Sequence, residues 1–190
     1  KDIDAIIYTH EHADQTAGIF EFRPIFFSKK KRIPIYCNLD TKKRIKSSYP
    51  WLFRSNKLYP QIMEVKDLKK DFSKIKNKIK LNFESIDVIH GRVKTRGYLF
   101  ENVAYISDCN FIPNHSMEKL KNLNFLIIDC FRLKRHVTHL NLEKTLKLIK
   151  ILKPKKAILT NMHVDLDYNF LKKILPKNVV PAYDGMNFNF

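Results

Sequence analysis

A short apolar run, followed at once by two histidines and an aspartate, constrains this chain most strongly. Residues 5–8, Ala-Ile-Ile-Tyr, predict a buried strand of about five residues. His10, His12 and Asp14 then stand at alternate positions where the strand gives way to a loop. Because alternate residues of an extended chain face the same side, and because imidazole and carboxylate are zinc ligands, the three predict a metal site. A polar loop that carries two histidines is the alternative.

The rest of the chain reads as strands that alternate with helices. Glu101–Asn102 separates two apolar runs and predicts a hairpin, whereas Asn141 can cap a helix with apolar residues at helical spacing. The pattern is typical of an α/β fold with mixed strand pairing. Further predicted strands are 33–36, 62–65, 81–89, 97–100, 103–107, 125–128 and 157–159. Asp40 or Thr41 is predicted to cap a second helix and Ser116 a third, and a last helix spans about 168–175.

Histidine or aspartate, both metal-ligand types, follows several of the predicted strands. His10, His90, Asp108 and His163 each lie just past a strand end, although tens of residues separate them. Ligand sites of open α/β sheets collect at the carboxyl ends of strands. We therefore expect these residues to form one constellation.

These motifs resemble the metallo-β-lactamase superfamily of metal-dependent hydrolases. The resemblance rests on the segments 9–14 (Thr-His-Glu-His-Ala-Asp), 90–91 (His-Gly), 107–109 (Ser-Asp-Cys), 135–139 (Arg-His-Val-Thr-His) and 160–168. Within the superfamily, the chain is most similar to the phosphoribosyl 1,2-cyclic phosphate phosphodiesterases and related tRNA-processing enzymes. The resemblance implies an α/β fold of the metallo-β-lactamase αββα sandwich type with mixed sheets. Members carry strands before the first metal motif, so we expect an N-terminally truncated chain in which the first strands are missing.

The resemblance also implies a role for each matching metal ligand. His10, His12 and His90 would bind a first metal, Asp14 would bind a second, and Asp108 would bridge both. Two such ions would convert a water into a hydroxide that attacks phosphorus, so Asp14 counts among the catalytic residues. No protein nucleophile is required.

Three further residues are predicted to contact the substrate. His139 resembles the histidine that contacts the phosphate or protonates the leaving oxygen, a role worth about 10²–10⁴-fold in rate. It could equally be a loop histidine near the helix that begins after Asn141. His136 has the same two interpretations, with the structural one favoured, and Asn161 is the third candidate. Asp165 and Asp167 could orient ligand histidines or cap the following helix.

Two departures from the family pattern concern the second metal. Gln15 stands where the superfamily usually has a histidine after the aspartate, and Asn161 stands where a histidine usually follows Thr160. An amide oxygen is a weaker zinc ligand than imidazole. His163 could supply the missing ligand or sit where a phosphate binds. The sequence therefore predicts one tight Zn²⁺ and a second, weaker site, with Mn²⁺ as an alternative metal.

Composition limits the class of protein and does not indicate a particular reaction. A chain of 190 residues with 44% hydrophobic content suits one globular domain over residues 1–190. The net charge of +17 could attract RNA or a nucleotide, yet the basic residues form no stripe interleaved with aromatics, which favours compositional drift over a nucleic-acid partner. Cys37, Cys109 and Cys130 form no Cys-x-x-Cys pair and read as reduced thiols of a cytoplasmic protein. No apolar stretch approaches the length of a membrane helix.

Together, these features predict a hydrolase with a small phosphate-ester substrate. The leading interpretation is a phosphodiesterase that cleaves a small nucleotide or a phosphoribosyl (cyclic) phosphate ester. The alternatives are an RNA-processing metallo-nuclease, which the charge favours, and a metal-binding protein whose altered second site supports little turnover. The oligomeric state is not predicted.

Overall fold

The computed structural model describes residues 3–67, 71–76 and 79–189, and these fall into two compact units. Unit 1 covers residues 1–69 and unit 2 covers residues 70–190. The predicted single domain is neither supported nor contradicted by this division and stays a prediction. Both units mix helices with a sheet, which confirms the mixed α/β class with two sheets.

Unit 1 is built on a three-stranded sheet in the order β1-β2-β3, and both of its strand pairs are parallel. Parallel strands require crossover connections, and helical segments supply them here. In chain order its elements are β1 Ile6–Ile7, α1 Ala13–Thr16, a 3₁₀ helix Ala17–Phe22, α2 Arg23–Lys29, β2 Ile33–Cys37, α3 Leu39–Ser48, a second 3₁₀ helix Pro50–Leu52 and β3 Met63–Asp67. Ile19, Ile35 and Ile45, which come from three different elements, are among the residues of its buried core.

Unit 2 contains a seven-stranded sheet in the order β10-β9-β8-β7-β6-β5-β4. Its elements are β4 Asp71–Lys76, β5 Ile79–His90, β6 Val93–Phe100, β7 Val103–Ile106, α4 Asn114–Lys119, β8 Phe125–Asp129, α5 Leu142–Leu152, β9 Lys156–Thr160, α6 Tyr168–Ile174 and β10 Val179–Pro181. The pairs from β4 to β7 are antiparallel, and those from β7 to β10 are parallel. Strands β5, β7, β8 and β9 consequently run in the same direction, and their carboxyl ends meet at one edge of the sheet.

The hairpin predicted at Glu101–Asn102 is present between β6 and β7, and Glu101 has the positive φ of 50° that such a tight turn requires. The Asn141 cap is also present, because its side-chain oxygen accepts a hydrogen bond from the Lys144 amide at 3.4 Å. Two other caps were wrong. Asn38, not Asp40 or Thr41, caps α3, and Ser116 lies inside α4, where its hydroxyl donates to the Asp87 carbonyl at 2.7 Å.

Several regular elements were not predicted: the helical segments between Ala13 and Lys29, the 3₁₀ helix Pro50–Leu52, and the strands β4 and β10. The first breaks the extended chain that was expected to bring Asp14 into line with the histidines, since Asp14 lies in the first turn of α1. Among the described residues, no helix is long and apolar enough to cross a membrane.

Candidate metal and catalytic site

In unit 1, the two predicted histidine ligands lie side by side after β1. His10 is fully buried, and its Nε2 lies 3.1 Å from Nδ1 of His12, with the ring centroids 4.5 Å apart. The Thr9 hydroxyl lies 3.0 Å from the other His10 nitrogen, Nδ1. Two ring nitrogens this close to one another suit a shared positively charged partner. The extended backbone predicted for these two positions therefore does bring their rings together.

Asp14, the third residue of that motif, has a different setting. Its side chain is exposed in the first turn of α1, and Oδ2 accepts a hydrogen bond from the Gln15 amide at 3.1 Å. Gln15 acts here as a hydrogen-bond donor to the carboxylate. An amide in that role offers its NH₂ group, and this group cannot ligate a cation.

In unit 2, the shared edge of β5, β7, β8 and β9 carries the second half of the predicted set. His90 ends β5, Asp108 follows β7, and Asn161 follows β9. The edge also carries Asp129, the last residue of β8, which no part of the predicted site included. The sequence did contain a signal for Asp129, because an apolar strand ends at this residue, as another strand ends just before Asp108.

Asp108, Asp129 and His139 form a compact group in which one ligand atom from each lies within 4.8 Å of the others. The two aspartates are buried, at 3% and 0% exposure. Two buried carboxylates so close together repel each other unless positive charge or N–H donors compensate. Carboxylate and imidazole are also ligand types that suit a divalent metal. The donor set therefore fits a cation.

Asn161 supplies N–H donors to this group. Its Nδ2 lies 3.0 Å from Oδ1 of Asp108 and 2.9 Å from Oδ1 of Asp129. One amide group thus links both carboxylates. Asn161 has a φ of 59° and Asp108 a φ of 30°, a left-handed conformation that is uncommon for residues other than glycine. Strained backbone of this kind clusters at functional sites.

His139 lies against Asp129. Its Nδ1 is 3.3 Å from Oδ2 of Asp129, and its side chain is 12% exposed. Because the two amide hydrogens of Asn161 are directed at carboxylates, Nδ1 of His139 is the donor to Asp129. The ring is also stacked on Phe131, with centroids 4.5 Å apart and planes at 24°. Carboxylate and phenyl ring together fix both the tautomer and the plane of the imidazole.

The orientation of His90 is set by a backbone carbonyl. Its Nδ1 lies 2.7 Å from the Thr138 carbonyl oxygen, which can only accept, so Nδ1 carries the proton. Nε2 is then the unprotonated nitrogen that is suited to a metal. Gly91, the next residue, donates its N–H to Oδ1 of Asn110, and Nδ2 of Asn110 donates to the Val137 carbonyl. Asn110 thus ties the end of β5 to the loop that carries His139.

The remaining predicted residues lie at the margin of this group. The ring nitrogen Nδ1 of His136 accepts from the Thr138 amide at 3.3 Å, and burial, helped by the positive charge of Arg132, lowers the pKa of His136. His163 is about half exposed and faces Asp165, with 3.1 Å between Nδ1 and Oδ1, and it belongs to no metal-ligand group among the described residues. Asp167 caps α6 by accepting from the Phe170 amide at 2.7 Å.

Comparison with known proteins agrees with this geometry. Residues 1–162 match the sequence profile of the beta-lactamase superfamily domain, so the chain belongs to that superfamily. It therefore has the metallo-β-lactamase fold, and it contains a His/Asp group that could bind metal.

Among solved structures, the chain is similar to a diphosphatase from the PhnP family, at 32% identity and a TM-score of 0.86, over 97% of this chain and 69% of that one. The short form of human tRNase Z shares the fold, with 14% identity, a TM-score of 0.66 and coverage of 97% and 78%. A curated relative, an octanoyltransferase of Porphyromonas gingivalis, is 26% identical over 97% of this chain. The chain spans only 37% of that relative's length.

Proposed function

We propose that the chain is a metal-dependent phosphodiesterase that hydrolyses a small nucleotide or a phosphoribosyl (cyclic) phosphate ester. The observation that carries the proposal is the Asp129–His139 pair beside Asp108, with 3.3 Å between the carboxylate and the imidazole. Such a pair can deliver a proton to a leaving oxygen. The similarity to a PhnP-family diphosphatase, at 32% identity, supports phosphate-ester chemistry in particular.

His10, His12 and His90 would hold the first metal, Asp108 would bridge to the second, and Asp14 would complete the second site. Bound divalent cations of this kind polarise phosphoryl oxygens and activate water. The tautomer of His90, in which Nδ1–H donates a hydrogen bond to the Thr138 carbonyl, supports Nε2 as a ligand. His163 would contact the substrate phosphate or add a ligand.

His139 would hold the proton that the leaving oxygen needs. With Nδ1 donating to Oδ2 of Asp129, Nε2 is the nitrogen that exchanges the proton with substrate. Asp129 stabilises the positively charged imidazolium and keeps the ring in one plane, as a buried carboxylate does in other His-dependent enzymes. Asp129 is therefore a positioning residue. His136, whose lowered pKa favours its neutral form, would contact the substrate from the same loop, together with Asn161.

The metal would be zinc, with one ion bound tightly and the second weakly or replaced by Mn²⁺. In both units, an amide donates to a carboxylate that the second ion would use: Gln15 donates to Asp14, and Asn161 donates to Asp108. Each N–H partly offsets the negative charge of the carboxylate that would attract a second cation. A second ion must therefore displace these hydrogen bonds to the carboxylates that it would use.

The proposal is tested by assaying the zinc-loaded protein on bis(p-nitrophenyl) phosphate and on a ribose 1,2-cyclic phosphate. His139→Ala should lower kcat by about 10²–10⁴-fold, as loss of a general acid does. Asp129→Asn should lower kcat less, by about 10–100-fold, because the imidazole remains. The matched control is His115→Ala, which removes an exposed histidine of α4 that pairs with Asp87 of β5.

The control variant should retain wild-type kcat, and zinc removal by a chelator should abolish activity. Circular dichroism shows whether the Asp129 variant is folded. Unchanged kcat in His139→Ala would remove His139 from the mechanism, and a zinc-loaded protein that hydrolyses neither ester would refute the proposal.

A further inference from the structure

One aromatic side chain, Phe131, contacts the rings of all three histidines that the proposed function places at the substrate. It stacks on the His139 ring, with centroids 4.5 Å apart and planes at 24°. The His136 centroid lies 5.0 Å from that of Phe131, and the His163 centroid lies 5.4 Å away. Phe131 follows the end of β8 closely in sequence. The proposed metal ligands and the Asp129–His139 pair do not include it.

The main chain of Phe131 is bonded to the two loops that carry these histidines. Its amide donates at 2.9 Å to the carbonyl of Leu140, the residue after His139. Its carbonyl oxygen accepts from the His163 amide at 2.7 Å. Both main-chain groups of Phe131 are therefore satisfied, and its backbone is fixed relative to both loops. The ring consequently meets the histidines from a defined direction.

The planes of the three imidazoles depend on packing more than on hydrogen bonds. In each ring, Nδ1 has a polar partner. The partners of His136, His139 and His163 are, in that order, the Thr138 amide at 3.3 Å, Oδ2 of Asp129 at 3.3 Å and Oδ1 of Asp165 at 3.1 Å. One hydrogen bond lets a ring turn about the line to its partner, whereas an aromatic ring in contact restricts the plane. Phe131 supplies such a contact to all three imidazoles.

Phe131 itself lies outside the apolar core of unit 2. Its neighbour Cys130 is fully buried and belongs to that core, whereas Phe131 is half-buried and, among the described residues, is not a member of it. A phenylalanine that only filled space would be expected inside the core. The ring of Phe131 lies instead among imidazoles at the edge of the sheet that carries the candidate site. This setting favours a role in orienting the histidines over a role in core packing.

We propose that Phe131 is a positioning residue, which orients His136, His139 and His163 together so that their Nε2 atoms face one substrate. Because each Nδ1 is held by its own partner, the tilt of the ring decides where Nε2 points. The reaction that these histidines serve rests on the proposed function, whereas the contacts of Phe131 do not. Loss of the phenyl face should therefore lower the rate without removing any group that takes part in the reaction.

The variants Phe131→Leu and Phe131→Tyr test the proposal in the zinc-loaded 190-residue chain. Leucine removes the flat face and keeps an apolar side chain, whereas tyrosine keeps the face. With bis(p-nitrophenyl) phosphate, Phe131→Leu should lower kcat by about 10–100-fold, the effect of a slightly misplaced reacting group, and Phe131→Tyr should stay within about threefold of wild type. Phe170→Leu, which changes an exposed phenylalanine of α6, is the matched control and should leave kcat unchanged. A loss that tyrosine does not restore would overturn the proposal.

A double variant distinguishes positioning from a general structural effect. In a protein that already carries His139→Ala, Phe131→Leu should lower kcat further by less than about threefold, because the imidazole that Phe131 orients for proton transfer is gone. If Phe131→Leu causes the same loss of kcat with and without the His139 imidazole, the ring does not act through His139 and the proposal is refuted.

Proton NMR measures the orientation of the rings without turnover. A proton that lies over an aromatic face resonates upfield. At alkaline pH, where histidine rings are neutral, the ring protons of His139 should therefore move downfield in Phe131→Leu and keep their shift in Phe131→Tyr. His139→Ala assigns the resonance, and His115, an exposed histidine of α4, should show no change. An unchanged His139 resonance in Phe131→Leu would contradict the proposal.

The NMR shifts separate this proposal from the proposed function. A zinc-loaded protein that hydrolyses no ester and shows the expected shifts would refute the proposed function and leave the orientation of the rings by Phe131 standing. A protein that hydrolyses phosphate diesters and keeps wild-type kcat in Phe131→Leu would refute the positioning role alone.

Discussion

Asn161 stands where the resemblance to the superfamily predicts a histidine, and its amide links two carboxylates. Its NH₂ group lies within 3.0 Å of one oxygen on each of Asp108 and Asp129. The amide offsets the repulsion between two buried carboxylates without adding a charge. The site can therefore stay assembled when only the first ion is bound.

Replacement of this amide should change how many metal ions the protein holds. Asn161→His removes the donor and adds a ligand, so we expect the affinity for a second zinc to rise by on the order of tenfold or more. Metal content after dialysis against buffered free zinc, measured by mass spectrometry, reports the change. Asn102→His, an exposed histidine in the β6–β7 turn, is the control. If Asn161→His retains no more zinc than the control, the amide is not what limits the second ion.

At the scale of elements, the end of β5 packs closely against the loop after β8 where Gly91 meets Thr138. Gly91 has a φ of 64°, and a Cβ there would lie 2.7 Å from Cγ2 of Thr138. Thr138 is the residue whose carbonyl accepts the proton of His90. A side chain at position 91 would clash with the Thr138 side chain, beside the carbonyl that accepts the His90 hydrogen bond.

Gly91→Ala should therefore lower the free energy of unfolding by about 2–4 kcal/mol, from backbone strain and the clash together. Gly185→Ala, also at positive φ but with nothing within 4 Å, should cost only about 1 kcal/mol. Urea denaturation measures both. Adding Thr138→Ser removes the methyl group that clashes and should recover part of the loss in Gly91→Ala; no recovery would mean that the contact is not the cause.

The sequence predicted most of these elements, for reasons that are local. Strands β2, β7, β8 and β9 are short apolar runs bounded by polar residues, and α5 has both an Asn cap and an apolar face. The helical segments from Ala13 to Lys29 lack such periodicity, and β10 is three residues long. Both depend on packing within their units. For the same reason Asp129 was overlooked, since its role depends on the Asn161 and His139 side chains, which come from other segments of the chain.

At the scale of the whole molecule, the three cysteine thiols can report whether the two units unfold together. Cys37 lies in unit 1, Cys109 and Cys130 lie in unit 2, and all three are buried thiols outside any disulfide, with at most 1% exposure. Each of them belongs to the buried apolar core of its unit. Burial also raises the pKa of Cys130 to about 12, which leaves little reactive thiolate at neutral pH.

We expect the native protein to be inert to a thiol reagent such as DTNB, and the unfolded protein to react at all three cysteines. If residues 1–190 fold as one domain, the three thiols should become reactive over the same range of urea concentration. The variant Cys37→Ser lacks the thiol of unit 1, so the reaction that it loses identifies the Cys37 signal. Reaction of Cys37 at a clearly lower or higher urea concentration than the other two would contradict the single domain.

The loop between β8 and α5 gathers several functions in a few neighbouring positions. Thr138 orients His90 through its carbonyl and contacts His136 through its amide, and the next residue is His139. An evolutionary or engineered change of substrate preference made in this loop would therefore also disturb His90, the proposed metal ligand. The effects of loop substitutions on activity should therefore not add to the effects of substitutions at His90. A new substrate preference would then require paired changes, one in the loop and one that restores the position of His90.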